Sequence, residues 1–199
     1  MLRVFRLSVS RLGYAAPQNY GTSNLTLMKF PKKKYNIIYA DPPWNIKTGP
    51  GWNSNGKARD LIYPTMSLEE ISNLPVKNIA DDKCRLFIWT INKYLGDTFK
   101  IIKDWGFKYS TTIVWCKNPN GIGLGGTFSM TNEYLLFAYK GKVDNKARLD
   151  TTWFLEKRGP HSKKPEKFRE VIEHCFDGSK IELFARHKTP DWDVWGNEI

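Results

Sequence analysis

The chain contains the segment Ile37-Ile38-Tyr39-Ala40-Asp41-Pro42-Pro43-Trp44, which carries its strongest indication of fold. Four strand-forming apolar residues end at a carboxylate and two prolines. Because proline has no N–H to give to a sheet ladder, the strand has to stop there and the chain has to turn. In open α/β sheets, ligands bind at the turn that follows the carboxyl end of a strand. The segment therefore predicts a buried strand with a ligand site at its end.

The residues after this strand are suited to an amino group on a nucleobase. The 6-amino group of adenine is a poor nucleophile because its lone pair is delocalised into the ring. A carboxylate and a rigidly held backbone carbonyl would accept its hydrogens and localise that lone pair, which is electrostatic preorganisation, while a Trp could stack on an extruded base. We interpret Asp41, Pro42, Pro43 and Trp44 as catalytic residues for methylating such a nitrogen. The alternative is an ordinary strand-to-turn corner with an N-capping Asp.

Composition indicates one globular domain. The chain has 199 residues, with 41% hydrophobic and 14% aromatic residues, and no stretch approaches the ~20 apolar residues that span a bilayer. Cys84, Cys116 and Cys175 form no C-x-x-C pair, which argues against a disulfide framework and a zinc site. No metal is predicted. We expect a reducing compartment, and a cytoplasmic or nucleoid-associated protein without a membrane partner.

The formal net charge of +11 is concentrated in two zones. Seven Lys or Arg residues and no acid precede Asp41, and residues 140–169 hold ten Lys or Arg residues against four acids. Two basic zones around a base-methylating site predict contact with the phosphates of a nucleic acid. The alternative for any single lysine is an ordinary solvated surface.

The N-terminal region is open to two interpretations. Residues 1–34 are acid-free, and we interpret them as a basic arm that lies along nucleic acid. The catalytic domain is predicted at residues 35–199. Residues 1–15 also have the Arg-rich, Ser-containing pattern of an organellar presequence, which is the less favoured alternative.

Beyond Asp41, strand-like and helix-like segments alternate. Strands are predicted at 85–89, 111–115, 133–139 and 180–184, and helices from Ser67 to Leu74, from Lys93 to Trp105 and from Pro165 to Phe176. This alternation predicts one α/β domain with a central, mostly parallel sheet flanked by helices. Residues 45–63, 118–131 and 142–164 are turn-rich, and loops of this length are often functional.

Eight segments of the chain, taken in series, resemble one known family. They are Ala40–Trp44, Tyr63–Met66, Leu86–Thr90, Trp105–Phe107, Ile113–Lys117, His161–Glu166, Lys180–Arg186, and Trp192 with Gly196–Glu198. Their order and spacing resemble the adenine-N6 methyltransferases of the methyltransferase-A-seventy family, which includes the messenger-RNA adenine methylase catalytic subunit and phage and bacterial DNA adenine methylases. The resemblance implies a single Rossmann-like methyltransferase domain that uses S-adenosylmethionine.

The resemblance also implies roles for individual residues. Asp41 and Pro42 would hold the target amino group, with Trp44 near the base, and the substrate-binding set would comprise Tyr63, Lys164 and Glu133. The cofactor-binding set would comprise Asp41, Lys164, Arg186, Asn197 and Glu198, with loops 45–62 and 156–163 gating the site. Each assignment has an alternative: Tyr63 and Glu133 as packed or strand-entry residues, Lys164 and Arg186 as surface cations, and Glu198 as a frayed terminus.

Two departures from the family pattern limit the assignment. Several family members have an aspartate-containing segment for the cofactor adenine where this chain has the acid-free residues 1–35, so that contact is not assigned to a residue. His187, Lys188 and Thr189 replace the usual His/Asn pair, and His187 is kept as a cofactor-binding candidate. We expect DNA as the substrate. RNA methylation and a non-catalytic nucleic-acid-binding subunit remain the alternatives, and a homodimer or a heterodimer is left open.

Overall fold

The computed structural model of the chain describes residues 29–46, 64–118, 127–142, 144–159, 163–196 and 199. Within these residues one sheet contains seven strands in the order β5-β3-β4-β2-β1-β6-β7. The strands are β1 (Tyr35–Ala40), β2 (Ala80–Thr90), β3 (Lys108–Asn118), β4 (Asn132–Lys140), β5 (Trp153–Lys157), β6 (Lys180–Leu183) and β7 (Asp193–Trp195).

Strand β4 is antiparallel to both of its neighbours, whereas every other neighbouring pair in this sheet is parallel. The last residues of the six parallel strands therefore meet the first residue of β4 at one edge of the sheet, here called the carboxyl edge. The opposite edge, where β1 begins at Tyr35, is called the amino edge.

Helices cover both faces of the sheet. They are α1 (Leu68–Ser72), α2 (Val76–Ile79), α3 (Leu95–Asp104, preceded by a 3₁₀ turn at Asn92–Tyr94) and α4 (Lys167–Cys175). Because strand side chains alternate, Ile38 and Ala40 belong to one core cluster with residues of α1, α2 and α3. Ile37 and Tyr39 belong to a second cluster with Phe168 of α4. A mostly parallel sheet with helices on both faces confirms the predicted α/β class.

The predicted helices occur with shifted ends. Helix α1 begins at the predicted capping box: the Glu70 N–H donates to Ser67 Oγ at 3.1 Å, and the Ser67 N–H donates to the Glu70 carboxylate at 2.7 Å. Helix α4 begins at Lys167 rather than at Pro165. Pro165 instead accepts a bond from the Phe168 N–H through its carbonyl, so it forms the turn that leads into the helix.

The prediction of a turn-rich stretch at residues 142–164 is wrong in part, because β5 lies within it. This strand pairs with β3 alone, and its alternate residues Trp153 and Leu155 are 60% and 57% exposed. An edge strand buries a single row of side chains, so its hydrophobic signal is weak within a charged region. The three-residue β7 was likewise not predicted.

Candidate active site

One face of the sheet carries the predicted site residues to the carboxyl edge. On the face that packs against α4, three buried core residues each have a charged residue two positions closer to that edge. The pairs are Tyr39 and Asp41, Trp115 and Lys117, and Leu135 and Glu133. Since side chains two apart share a face, the three charged residues continue the buried rows of the core. Lys164, which precedes α4, joins them from the helix layer.

These residues form a four-charge network, defined as Asp41, Lys164, Glu133 and Lys117. Lys164 Nζ lies 2.7 Å from Asp41 Oδ2 and 3.4 Å from Glu133 Oε2, and Lys117 Nζ lies 2.7 Å from Glu133 Oε1. Their side chains are between 11% and 24% exposed. Two carboxylates and two ammonium groups therefore compensate one another in a poorly solvated place.

The network favours the charged forms of Glu133 and Lys164. Burial acts to raise the pKa of Glu133, but the Lys164 and Lys117 ammonium groups outweigh it and lower that pKa overall. Burial acts to lower the pKa of Lys164, but the carboxylates of Asp41 and Glu133 raise it above its ordinary value. Charged neighbours thus dominate over desolvation at both positions.

Hydrogen bonds to backbone carbonyls fix the loop after β1. The Trp44 N–H donates to the Pro42 carbonyl, and the Met66 N–H donates to the Pro43 carbonyl, both at 2.9 Å. The Trp44 indole N–H donates to the Trp89 carbonyl at 3.2 Å. These bonds fix the two proline carbonyls at the carboxyl edge.

The Trp44 side chain is buried, whereas an open stacking surface for a base would be exposed. Its side chain is 5% exposed, and its ring stacks on Tyr94 with 5.2 Å between centroids and 20° between planes. One ring face is therefore occupied by a protein side chain. Base stacking on Trp44 stays a prediction, and it would have to use the remaining face or edge.

The site residues surround a cavity of about 60 Å³ between the ends of β1 and β2. The predicted residues that line it are Asp41, Pro42, Pro43, Trp44, Glu133, Lys164 and Arg186. The structure thus brings together seven predicted residues from four distant parts of the sequence. Tyr63, Asn197 and Glu198 lie outside the described residues, and His187 is exposed next to Arg186.

The turn that carries Arg186 follows β6 and is constrained. Phe184 has a φ of 63°, a backbone conformation that is rare for a bulky residue and energetically unfavourable. The Ala185 N–H donates to the Trp195 carbonyl at 3.1 Å. A Cβ on Gly196 would lie 2.1 Å from the Ala185 carbonyl oxygen, so only glycine permits this close approach.

Lys117 is the member of the four-charge network without a predicted role, and Ile46, Trp89, Thr90 and Ile91 line the cavity without one. Lys117 ends one of the eight matching segments, and it lies two residues after the buried Trp115 on the same strand face. Alternation along β3 was the available signal. Its partner Glu133 becomes evident once the β3–β4 register is known, since Trp115 lies opposite Glu133.

Comparison with known proteins agrees with this geometry. Residues 35–198 match the MT-A70 family. The chain belongs to the MT-A70 family. The type II methyltransferase M.MunI of Mycoplasma sp is 36% identical to it over 189 residues, covering 86% of the chain and 80% of M.MunI. The predicted family, its methyltransferase fold and its adenine-N6 methyltransferase activity are thereby confirmed.

Eukaryotic MT-A70 relatives share a smaller part of their length. The human N(6)-adenosine-methyltransferase catalytic subunit METTL3 is 27% identical, covering 83% of this chain and 28% of METTL3. The human N(6)-adenine-specific methyltransferase METTL4 is 26% identical, covering 84% of this chain and 38% of METTL4. The chain thus spans most of the Mycoplasma relative but well under half of these two. In the described part of this MT-A70 protein, no helix is long and apolar enough to cross a membrane.

Proposed function

We propose that the chain transfers a methyl group from S-adenosylmethionine to the 6-amino nitrogen of adenine in DNA. The observation that carries this proposal is the position of the Asp41 carboxylate. It lies at the carboxyl edge, beside a cavity, and is held by Lys164 at 2.7 Å. An amino group whose lone pair is delocalised needs a fixed acceptor for its hydrogens, and the Asp41 carboxylate is such an acceptor.

Asp41 and Pro42 together would take the two amino hydrogens. A carboxylate accepts several hydrogen bonds, so Asp41 can accept one from Lys164 and another from a base. A carbonyl oxygen has two lone pairs, and the Pro42 carbonyl uses one for the Trp44 N–H. With both hydrogens accepted, the nitrogen lone pair is directed away from the ring. Because the acceptors are already in place, little reorganisation is required.

The donor set around the cavity fits the amino-acid end of S-adenosylmethionine. That end is zwitterionic, so it calls for a cation beside its carboxylate and an anion beside its ammonium group. Lys164 and Arg186 supply cations on this cavity, and Asp41 supplies an anion. When bound, the cofactor would supply an activated methyl group on sulfur.

The described lining of the cavity accounts only for the amino-acid end of the cofactor. Contacts to the cofactor's adenosine and to the target base therefore have to come from further residues. We assign Asn197, Glu198 and Tyr63 to those contacts as proposals, on the family resemblance alone.

The distribution of charge favours nucleic acid at the carboxyl edge. Near the amino edge, several cations are paired with carboxylates, as in Lys33–Asp193 at 2.8 Å and Lys140–Asp82 at 3.7 Å. At the carboxyl edge, Lys157 ends β5, Arg158 follows it, and both are exposed. No carboxylate of the described residues pairs with either one within 4.0 Å. Cations without local partners are the ones free to contact phosphates.

DNA is favoured over RNA by the comparison with M.MunI. The similarity extends over 80% of a type II methyltransferase, a class name given to enzymes that modify DNA. RNA is the second candidate, because a comparable region of METTL3, an N(6)-adenosine-methyltransferase subunit, matches at 27% identity. An adenine edge presented to Asp41 is the same in both nucleic acids once the base is extruded.

Incubation of the pure protein with methyl-labelled S-adenosylmethionine and separate pools of adenine-containing DNA and RNA tests the proposal. We expect label in DNA as N6-methyladenine, and far less of it with Asp41→Asn. Label in RNA alone would replace the substrate assignment. Nucleic-acid binding without any transfer would contradict the proposed activity.

A further inference from the structure

Lys117 reaches the cavity indirectly. Asp41, Glu133 and Lys164 line the cavity, whereas Lys117 is not among its lining residues within the described part of the chain. Its ammonium group touches the site through the carboxylate of Glu133, at 2.7 Å. A group in this position acts on ligands through its neighbour rather than by contact.

The position of Lys117 is fixed by the sheet and by aromatic rings. Trp115 and Glu133 are direct partners across β3 and β4, and Lys117 follows two residues later on the same face. Lys117 Nζ lies 5.2 Å from the centroid of the Trp115 ring, and Lys164 Nζ lies 5.3 Å from that of Trp89. The two rings meet edge-to-face at 6.1 Å. Each ammonium group is therefore held over one ring of a packed pair.

Glu133 divides its two oxygens between these cations. Oε1 bonds to Lys117 at 2.7 Å, while Oε2 is 3.4 Å from Lys164, which bonds more closely to Asp41. Without Lys117, the charge of Glu133 would lose its closest compensation in a poorly solvated place. It would then either draw Lys164 away from Asp41 or take up a proton, because an unpaired buried carboxylate is unfavourable.

Among the described residues, other charged groups lie around Glu133. Arg186 lines the same cavity from the turn after β6, and Glu156 lies opposite Lys117 across β3 and β5. Asp41 and Lys164 approach from the loop after β1 and the segment before α4. Glu156 adds negative charge, so it increases the need for a cation at position 117.

We propose that Lys117 is a positioning residue of the methyl-transfer site: it holds Glu133 so that Lys164 stays bonded to Asp41. The inference rests on the proposed function for its effect on turnover. Its effect on the ionisation of Glu133 is independent of that function. The sequence pattern it implies is a buried Trp on β3 that lies opposite a carboxylate near the start of β4, with a cation two residues after the Trp.

The first test measures the ionisation of Glu133 without any substrate. The carboxyl carbon of Glu133 is followed by NMR from pH 3 to pH 8, with assignment by Glu133→Gln, in the parent, Lys117→Met and Lys117→Arg. We expect the pKa of Glu133 to rise in Lys117→Met and to stay near that of the parent in Lys117→Arg. Lys108→Met, an exposed lysine at the other end of β3, is the matched control and should leave it unchanged. If the pKa of Glu133 is the same in Lys117→Met as in the parent, the proposal is overturned.

The second test measures turnover against pH with adenine-containing DNA. We expect Lys117→Met to lower kcat roughly tenfold to a hundredfold, as misplacement of reacting groups does, to change KM less, and to gain an acidic limb in the pH profile. Lys117→Arg should restore most of kcat. If the parent transfers no methyl group, the proposed function fails, and the NMR titration alone still decides the role of Lys117. An equal loss in Lys117→Arg and Lys117→Met, with an unchanged pH profile, would assign a structural role instead.

Discussion

Asp41 occupies the first position after β1, where its backbone N–H faces the Leu183 carbonyl at 3.5 Å and its side chain enters the four-charge network. Replacement by Asn keeps the size and removes the charge. We expect Asp41→Asn to fold normally and to lose about 10²- to 10³-fold in kcat, the effect of removing one preorganised polar group. Single-turnover transfer to DNA measures the loss. Asp150→Asn, at an exposed position, is the control, and near-parental turnover in Asp41→Asn would exclude the proposed catalytic role.

Glu133 gives the stability of the protein a defined pH dependence. Because its folded-state pKa is lowered, its contribution is fully present above the unfolded-state pKa of about 4.3 and is lost as the pH falls through the folded-state pKa. Glu133→Gln leaves a buried cation without its partner, so we expect about 3–5 kcal/mol less stability at pH 7. The deficit should shrink below about pH 4.

Urea unfolding of the parent and the variant at several pH values measures this difference. Glu170→Gln, at an exposed position on α4, should show little pH-dependent deficit. If the loss of unfolding free energy in Glu133→Gln stays constant from pH 7 to pH 3, the charge of the Glu133 carboxylate contributes nothing to the stability of the folded protein.

At the scale of elements, the turn after β6 depends on glycine at the end of β7. A Cβ at position 196 would meet the Ala185 carbonyl oxygen at 2.1 Å and the Ala185 nitrogen at 2.7 Å, and backbone atoms cannot move aside cheaply. We expect Gly196→Ala to lower the thermal unfolding midpoint by several degrees, about 2–4 °C per kcal/mol for a chain of this size. It should also weaken cofactor binding, because Arg186 lies on the displaced turn.

Gly96→Ala provides the matched comparison in calorimetry. A Cβ on Gly96 in α3 would meet nothing within 4 Å, so this change should be neutral or stabilising by up to about 1 kcal/mol. Equal thermal midpoints for Gly196→Ala and Gly96→Ala would show that the close contact between position 196 and the Ala185 backbone does not require glycine.

The sequence was most informative where local chemistry determines structure. The proline stop after β1 and the capping box at Ser67 predict their elements from a few adjacent residues, and both occur as expected. Strand β5 could not be predicted in the same way, because its stability comes from pairing with β3. The role of Lys117 became evident from the β3–β4 register. That register pairs residues 16 or more positions apart in sequence, so a local sequence pattern does not reveal it.

For the molecule as a whole, the direction of β4 decides how the site is assembled. A parallel strand would bring its last residue to the carboxyl edge, whereas antiparallel β4 brings its second residue, Glu133. The sequence predicted a strand from residue 133 but not its direction. The site therefore follows from the topology of the full sheet, and its separate motifs indicate only which residues take part.

The placement of exposed cations at the two edges is also a property of the whole molecule. We expect Lys157→Ala/Arg158→Ala to reduce the slope of log binding constant against log salt by about two units on duplex DNA, since each lost phosphate contact contributes about 0.9. Lys83→Ala/Lys142→Ala removes the same charge near the amino edge, where both lysines pair with Asp144, and should change the slope far less. Filter binding at several salt concentrations measures both. Equal slopes for the two double variants would mean that net charge alone attracts DNA.

The lysines that lie over Trp89 and Trp115 give the protein an internal optical signal. An ammonium group 5.3 Å from the Trp89 ring imposes a strong electric field on that indole, and the emission energy of an indole depends on the field across it. A ligand whose carboxylate draws Lys164 towards itself changes this field. Occupation of the cavity, which Trp44 and Trp89 both line, should therefore shift the tryptophan fluorescence of the unlabelled protein, and the shift should become smaller in Trp89→Phe.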